Sequence, residues 1–231
     1  MNTKSSKKTD QVCSYCKKSF KSERTLIAHI CRLKSRDRTR NDVDSQLAFY
    51  AYGRFYMLSQ GNVIKTWDQF IDSSYYAGFI RFANYVKSYR VVNPHMFIDW
   101  IIKNGCKLDD WAKDSTYERY LLQLLVNETA TSAVERSLLA MQTWADENNV
   151  TLGQYFYHAS ANRMVKDITA GVVSPWILYG TESGREALAQ LNEEQLNYVM
   201  KYIDPSIWQE KIANSEELSL VKFVAQEAGF K

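Results

Sequence analysis

The chain has 231 residues, of which 45% are hydrophobic and 24% are charged, and its formal net charge is +3. With only 9 Gly and 3 Pro, the composition argues against a turn-rich β architecture. No apolar run approaches the roughly 18 residues that a membrane-spanning helix needs. Residues 1–12 are polar and basic, unlike a secretory signal peptide. We therefore expect a cytoplasmic protein that does not associate with membranes.

The charge is unevenly distributed. Residues 1–40 carry twelve Lys and Arg against three Asp and Glu, a formal charge of +9. Residues 41–231 carry seventeen against twenty-three, a formal charge of −6. A basic arm beside an acidic body predicts an anionic partner, most often nucleic acid. The alternative is a solvated basic tail that only aids solubility.

Four soft metal ligands stand in the 19-residue segment CSYCKKSFKSERTLIAHIC: Cys13, Cys16, His29 and Cys31. Zinc binds four ligands in a tetrahedron, and thiolate and imidazole are among its preferred donors. The fourth cysteine, Cys106, stands alone, so the spacing does not indicate a disulfide framework but a metal site in a reducing compartment. We predict one bound zinc ion, against the alternative of a reduced-thiol segment without metal.

The segment resembles the Cys-Cys-His-His zinc-finger family through the pattern Cys-x3-Phe-x5-Leu-x2-His. Here those positions are Cys16, Phe20, Leu26 and His29. The resemblance implies a ββα unit in which two strands carry the cysteines and a helix carries the histidine. Phe20 and Leu26 would form its small core. So short a chain buries too little apolar surface to fold alone, and metal binding supplies folding free energy.

The fourth ligand departs from the family pattern. The family places it four or more residues after the first histidine, where this chain first has Leu33. Cys31 follows His29 by two residues, which is about 200° around an ideal helix. Both side chains can bind one ion only if the helix ends at or just after His29. We therefore predict a Cys-Cys-His-Cys variant in which Cys31 reaches back from a non-helical residue.

The resemblance also indicates how this segment would meet nucleic acid. The positions that contact bases in the family fall on Ser22, Thr25 and Ala28, which are too short for bidentate recognition of guanine or adenine. We therefore predict contacts to phosphates with little sequence specificity. The candidate residues are Lys17, Lys18, Lys21, Arg24, Arg32, Lys34, Arg36, Arg38 and Arg40. The alternative is that the finger docks on a protein and its lysines keep it soluble.

The rest of the chain has the pattern of a helical protein. Apolar residues recur at helical spacing, as with Trp67, Phe70 and Ile71 after Thr66. Each proline follows a capping residue, in Asn93-Pro94, Ser174-Pro175 and Asp204-Pro205, and so begins a helix. Ser132 and Glu135 are spaced as a capping box before a helix through Trp144.

These patterns predict an aromatic-rich, multi-helix all-α body preceded by a small ββα-type zinc finger. The predicted organisation is a disordered basic tail (1–12), the finger (13–31), a basic linker (32–44) and a helical domain (45–231). Candidates for catalysis in the helical domain are isolated: His95, His158, the Asp109-Asp110 pair and Cys106.

A wider resemblance spans most of the chain. The segments CSYCKKSFKSERTLIAHIC, LAFYAYGRFYMLS and SPWILYG are similar to segments of small zinc-finger proteins of large tailed bacteriophages. The resemblance implies a phage protein acting in the host cytoplasm, and it implies no particular activity.

Three functions follow as hypotheses. The first is a non-enzymatic protein that grips nucleic-acid phosphates through its finger and engages a partner protein through its helical body. The second is a protein-protein adaptor with a purely structural finger. The third is an enzyme acting on nucleic acid with a site in the helical body.

Overall fold

The computed structural model describes residues 11–213 and 215–231. Within them the protein is mostly helical, with fifteen α-helices and one two-stranded antiparallel sheet at the N-terminal end. The predicted helical body is thereby confirmed. Most of the predicted disordered tail, residues 1–10, lies outside the described residues. Its last two residues, Gln11 and Val12, belong to the first strand.

The chain divides into two units, Met1–Tyr85 (unit 1) and Val86–Lys231 (unit 2). Unit 1 contains β1 (Gln11–Val12), β2 (Ser19–Phe20), α1 (Glu23–Ala28), α2 (Arg32–Asp37), α3 (Val43–Ser59) and α4 (Trp67–Asp72). Helix α5 (Tyr76–Tyr89) begins in unit 1 and ends in unit 2. The boundary predicted between linker and helical domain, after residue 44, falls inside unit 1, and the segment before it forms α2.

An aromatic core holds the helices of unit 1 together. Tyr52 of α3 lies between Phe70 of α4 and Phe79 of α5, with ring centroids 5.2 and 5.5 Å away. All three side chains are buried, and Trp67 packs edge-on against Phe70. Helix α4 begins after Thr66 through a capping box, at the position that the apolar spacing predicts.

Unit 2 is formed by α-helices and two 3-10 helices, Leu108–Asp110 and Leu152–Gln154. The α-helices are α6 (Pro94–Lys103), α7 (Asp114–Asn127), α8 (Ala130–Asn148), α9 (Tyr155–His158), α10 (Ala161–Thr169), α11 (Pro175–Gly180), α12 (Glu182–Ala189), α13 (Glu193–Ile203), α14 (Pro205–Ile212) and α15 (Ser215–Glu227).

Helix starts in unit 2 follow local signals in most cases. Each of the three prolines is the first residue of its helix, as predicted. The predicted capping box at Ser132 is wrong, because α8 begins three residues earlier than a helix capped by Ser132 would. Thr129 is its N-cap and its hydroxyl accepts a hydrogen bond from the Ser132 backbone N–H at 3.3 Å. Two overlapping capping signals compete there, and the helix begins at the upstream one.

Unit 2 also contains two ion pairs in which the acidic side chain is buried. Arg136 forms a bidentate salt bridge with Glu128, and its Nε donates to the Gly171 carbonyl at 2.9 Å. Asp167 accepts hydrogen bonds from the hydroxyl of Tyr155 and from Arg163. Buried charges of this kind require partners, because an unpaired one carries the full cost of desolvation.

Candidate metal centre

The first two ligands are positioned by the turn that connects β1 to β2. The backbone N–H of Cys13 donates to the Lys18 carbonyl, and the N–H of Lys17 donates to the Cys13 carbonyl, both at 2.9 Å. Lys17 adopts a left-handed conformation with φ of 61°, which closes the turn. The loop between Cys13 and Cys16 is thereby held tight, so both thiols face the same side.

The other two ligands follow helix α1. Ser22 is its N-cap and accepts from the Thr25 N–H, and the Thr25 hydroxyl donates back to the Ser22 carbonyl at 2.7 Å. The helix ends at Ala28. His29 and Cys31 then have extended backbones, with ψ of 124° and 165°. The helix was predicted to end at or just after His29, and His29 is its C-cap, the first residue after the last helical one.

The four ligand atoms converge. All of them lie within 4.8 Å of one another, and Cys16 Sγ is 3.2 Å from His29 Nε2. Zinc bonds of about 2.0–2.3 Å in a tetrahedron place ligand atoms roughly 3.3–3.8 Å apart. A small contraction of the cluster therefore brings Cys13, Cys16, His29 and Cys31 to bonding distance. Three sulfurs and one imidazole nitrogen form a donor set that suits zinc.

Backbone N–H groups point at the sulfurs and favour their ionised forms. The N–H of Cys16, with that of Tyr15, holds the pKa of the Cys13 thiol below its usual value. At Cys16 the Lys18 N–H acts in the same direction, but burial and the neighbouring thiols outweigh it and raise the pKa. The Lys34 N–H donates to Cys31 Sγ at 3.4 Å. Such contacts orient metal-binding thiolates.

The apolar core beside these ligands is small. The ring of Phe20 packs on the ring of His29 with centroids 4.6 Å apart, and both are only half-buried. Cys13 is the one fully buried residue in the segment 11–31. A segment with so little buried apolar surface gains most of its stability from elsewhere. The donor cluster and the small core together fit a structural metal ion.

The predicted phosphate-binding residues of α2 make intramolecular contacts. Arg36 donates to the carbonyls of Ile71 and Ser73 at 2.6 and 3.3 Å. Lys34 Nζ donates to the His29 carbonyl at 3.2 Å. Arg32 forms an exposed salt bridge with Asp72 at 3.0 Å. The charged groups of these three residues are thus bound by other residues of unit 1.

The remaining six candidates fall into two groups. Lys17 Nζ donates to the Ser14 carbonyl at 2.6 Å, while Lys18 and Arg40 lie near the rings of Phe20 and Trp67. The residues Lys21, Arg24 and Arg38 are exposed. No hydrogen bond or ion pair to the residues that the structure describes holds these last three side chains.

Residues that no sequence motif indicated join the loop between Cys13 and Cys16 to the helices. The hydroxyl of Tyr15 donates to one Asp37 oxygen at 2.6 Å, and the indole N–H of Trp67 donates to the other at 2.8 Å. The first of these bonds, more than the second, holds the pKa of Asp37 below its usual range and raises that of Tyr15. No local signal reveals this bridge, because its members are 22 and 30 residues apart.

The isolated candidates for catalysis stay apart. His95 and His158 are exposed, on α6 and at the end of α9. Asp109 and Asp110 lie in a 3-10 helix, and Asp110 pairs with Lys113. Over residues 11–213 and 215–231, the Cys/His cluster is the one group of three or more His, Cys, Asp or Glu placed to share a metal ion.

Two further findings bear on function. Across the described part of the chain, no helix combines the length and apolarity that crossing a membrane requires. No protein-family model, curated protein or solved structure matches the chain.

Proposed function

We propose that the protein is a non-enzymatic, zinc-dependent module that binds nucleic acid through phosphates and engages a partner protein through its helices. The convergence of Cys13, Cys16, His29 and Cys31 carries this proposal. In it, β1, β2 and α1 form a ββα finger of Cys-Cys-His-Cys type, and the ion acts as a structural cross-link. Thiolate ligation favours a reducing compartment, for which we propose the cytoplasm.

The charge of unit 1 supports an anionic partner. Residues 11–85 carry twelve Lys and Arg against six Asp and Glu, a formal charge of +6. Exposed cations on such a surface neutralise phosphates and release counterions on binding. The exposed side chains of Lys21, Arg24 and Arg38 are the best candidates, because no hydrogen bond or ion pair to residues 11–213 or 215–231 has to break when they meet a phosphate.

A salt titration tests the phosphate contacts. The full chain, loaded with zinc, is titrated with fluorescent mixed-sequence DNA and RNA at several salt concentrations. Each phosphate contact contributes about 0.9 to the slope of log affinity against log salt for duplex DNA. The triple substitution Lys21→Ala, Arg24→Ala, Arg38→Ala should lower that slope by about 2 to 3 and weaken binding to all sequences alike.

A matched variant controls for the loss of charge. Lys103, Lys107 and Lys166 are exposed lysines of unit 2, and changing all three to Ala removes the same charge. This control should keep the slope of the unsubstituted protein. The proposal is wrong if the chain binds neither nucleic acid at low salt, or if both triple variants change the slope equally.

A protein-protein adaptor is the second candidate. Ile27 and Ile30, close in sequence to His29, are 67% and 62% exposed and offer apolar surface to a partner. The internal contacts of Arg32, Lys34 and Arg36 also favour it, because these cations are held by the protein itself. If the protein is an adaptor, Ile27→Asp should abolish binding of the partner protein. Neither the wild type nor this variant should then bind nucleic acid at any salt concentration.

A further inference from the structure

We propose that Asp37 is a positioning residue that couples the metal centre to the helices of unit 1. Zinc binding and the packing of α2 against α4 would then be one transition. The inference rests on the proposed zinc site, and it assigns to that site a task beyond holding a finger together. The expected linker, residues 32–44, would instead transmit the effect of the metal.

The coupling begins at the last metal ligand. Cys31 is also the N-cap of α2, since its Sγ accepts the Lys34 N–H at 3.4 Å. A helix of six residues is too short to persist alone in water, so α2 depends on what holds its two ends. Metal binding fixes Cys31 and thereby fixes the start of α2.

Asp37, the last residue of α2, makes the second connection. One carboxylate oxygen accepts from the hydroxyl of Tyr15, which stands in the metal loop between Cys13 and Cys16. The other oxygen accepts from the indole of Trp67, the first residue of α4. Hydrogen bonds to a carboxylate are among the stronger ones in proteins, and here one half-buried group receives two.

A third connection holds α2 on the far end of α4. Arg36 donates to the carbonyls of Ile71 and Ser73, where α4 ends, and its guanidinium lies 4.1 Å from the ring centroid of Tyr76. Satisfying carbonyls at a helix end stabilises that end. Helix α2 therefore touches both ends of α4, and it starts at a metal ligand.

This arrangement differs from a finger on a tether. A tethered finger would gain or lose its metal without any change in the helices that follow. Here the metal loop and α4 share the carboxylate of Asp37, so loss of the ion frees Tyr15 and Cys31 together and loosens both supports of α2. We expect the environment of Trp67 to follow the occupancy of the metal site.

Fluorine NMR of the full chain tests the coupling. The chain has six tryptophans, and Trp67 is the single one before Val86, so 5-fluorotryptophan reports on both units in one spectrum. Trp67→Phe assigns its resonance. Stepwise removal of zinc with a chelator should shift or broaden the Trp67 resonance in proportion to the metal lost, while most of the other five stay in place.

Asp37→Asn then tests the residue itself. The amide keeps the shape but loses the charge, and we expect zinc affinity, measured by chelator competition, to fall about 10-fold, as for other groups that orient metal ligands. Tyr15→Phe should act in the same direction and serves if Asp37→Asn folds poorly. Asp42→Asn is the control, since Asp42 is exposed and its side chain caps nothing.

The outcomes separate the two proposals. If the wild-type chain binds one zinc ion and the Trp67 resonance does not change when the ion is removed, the proposed coupling is wrong. The proposed zinc site is then unaffected. Equal zinc affinity of Asp37→Asn and the wild type also refutes the coupling. If the wild-type chain binds no zinc, the proposed function and this inference both fail.

Discussion

Gly153 lies against the backbone of Gly229 so closely that a Cβ on Gly153 would be 2.0 Å from the Gly229 carbonyl oxygen. The contact seats the C-terminal segment on the 3-10 helix that precedes α9. Phe230 beside it is buried and packs edge-on against Phe156. The carbonyl of Lys231 accepts N–H groups at the start of α12. The last residues are thus an integral part of unit 2.

Gly153→Ala should therefore destabilise unit 2. The added methyl group meets backbone, which cannot rotate away, and overpacking of this kind costs about 1–3 kcal/mol. Gly53→Ala is the matched control. Gly53 lies inside α3 with open space around it, so Ala should be neutral or stabilise by up to about 1 kcal/mol. Urea denaturation checks both, and equal effects would contradict the close contact.

The salt bridge between Glu128 and Arg136 is expected to matter for stability. The two side chains are 4% and 14% exposed, so Glu128→Gln leaves a desolvated guanidinium without its counter-charge. Such losses cost about 3–5 kcal/mol. Asp110→Asn breaks the exposed pair with Lys113 and should cost less than about 1 kcal/mol. Comparable midpoints for the two variants in chemical denaturation would show that the buried pair is weak.

Ionisation of the Tyr117 hydroxyl is expected to lower the folding stability of the protein at alkaline pH. It donates to the Ala170 carbonyl and accepts the Val92 N–H, and burial raises its pKa from 10 to about 12. A pKa that folding raises contributes stability below the unfolded value, and this contribution is lost as pH rises through the folded value. We therefore expect the loss to run from about pH 10 to about pH 12.

Tyr117→Phe isolates this effect from the other tyrosines. At neutral pH the variant should be about 1–3 kcal/mol less stable, because two buried backbone groups lose their partner. Above pH 10 the gap should narrow by at most about 1.4 kcal/mol per pH unit. The measurement is the free energy of unfolding of both proteins at several pH values, and a constant gap would refute the prediction.

Metal content tests the ligand set directly. Purified protein should contain about one zinc ion per chain if four ligands close one site. Cys31→Ser should lower both content and affinity, because it removes one of the four converging donors. Cys106→Ser is the control, since that thiol lies outside the cluster. Unchanged zinc binding in Cys31→Ser would show that another group is the fourth ligand.

Features encoded in neighbouring residues were predictable from the sequence. The two-residue spacing of His29 and Cys31 required α1 to end at or just after His29, and the structure has His29 as its C-cap. The three Pro-initiated helices follow from the fixed φ of proline and its missing N–H. The wrongly predicted start of α8 shows the limit of such signals, because Thr129 and Ser132 are both capping residues and the helix begins after Thr129.

The sequence alone established the candidate ligands, the helical class and the basic character of the N-terminal region, because each depends on residue type and local spacing. The sequence did not establish which Lys and Arg side chains remain available to bind phosphates. Arg36 binds carbonyls 35 and 37 residues away, and Asp37 joins residues 22 and 30 positions from it. Partners at such separations are set by how helices pack, and no local periodicity encodes them.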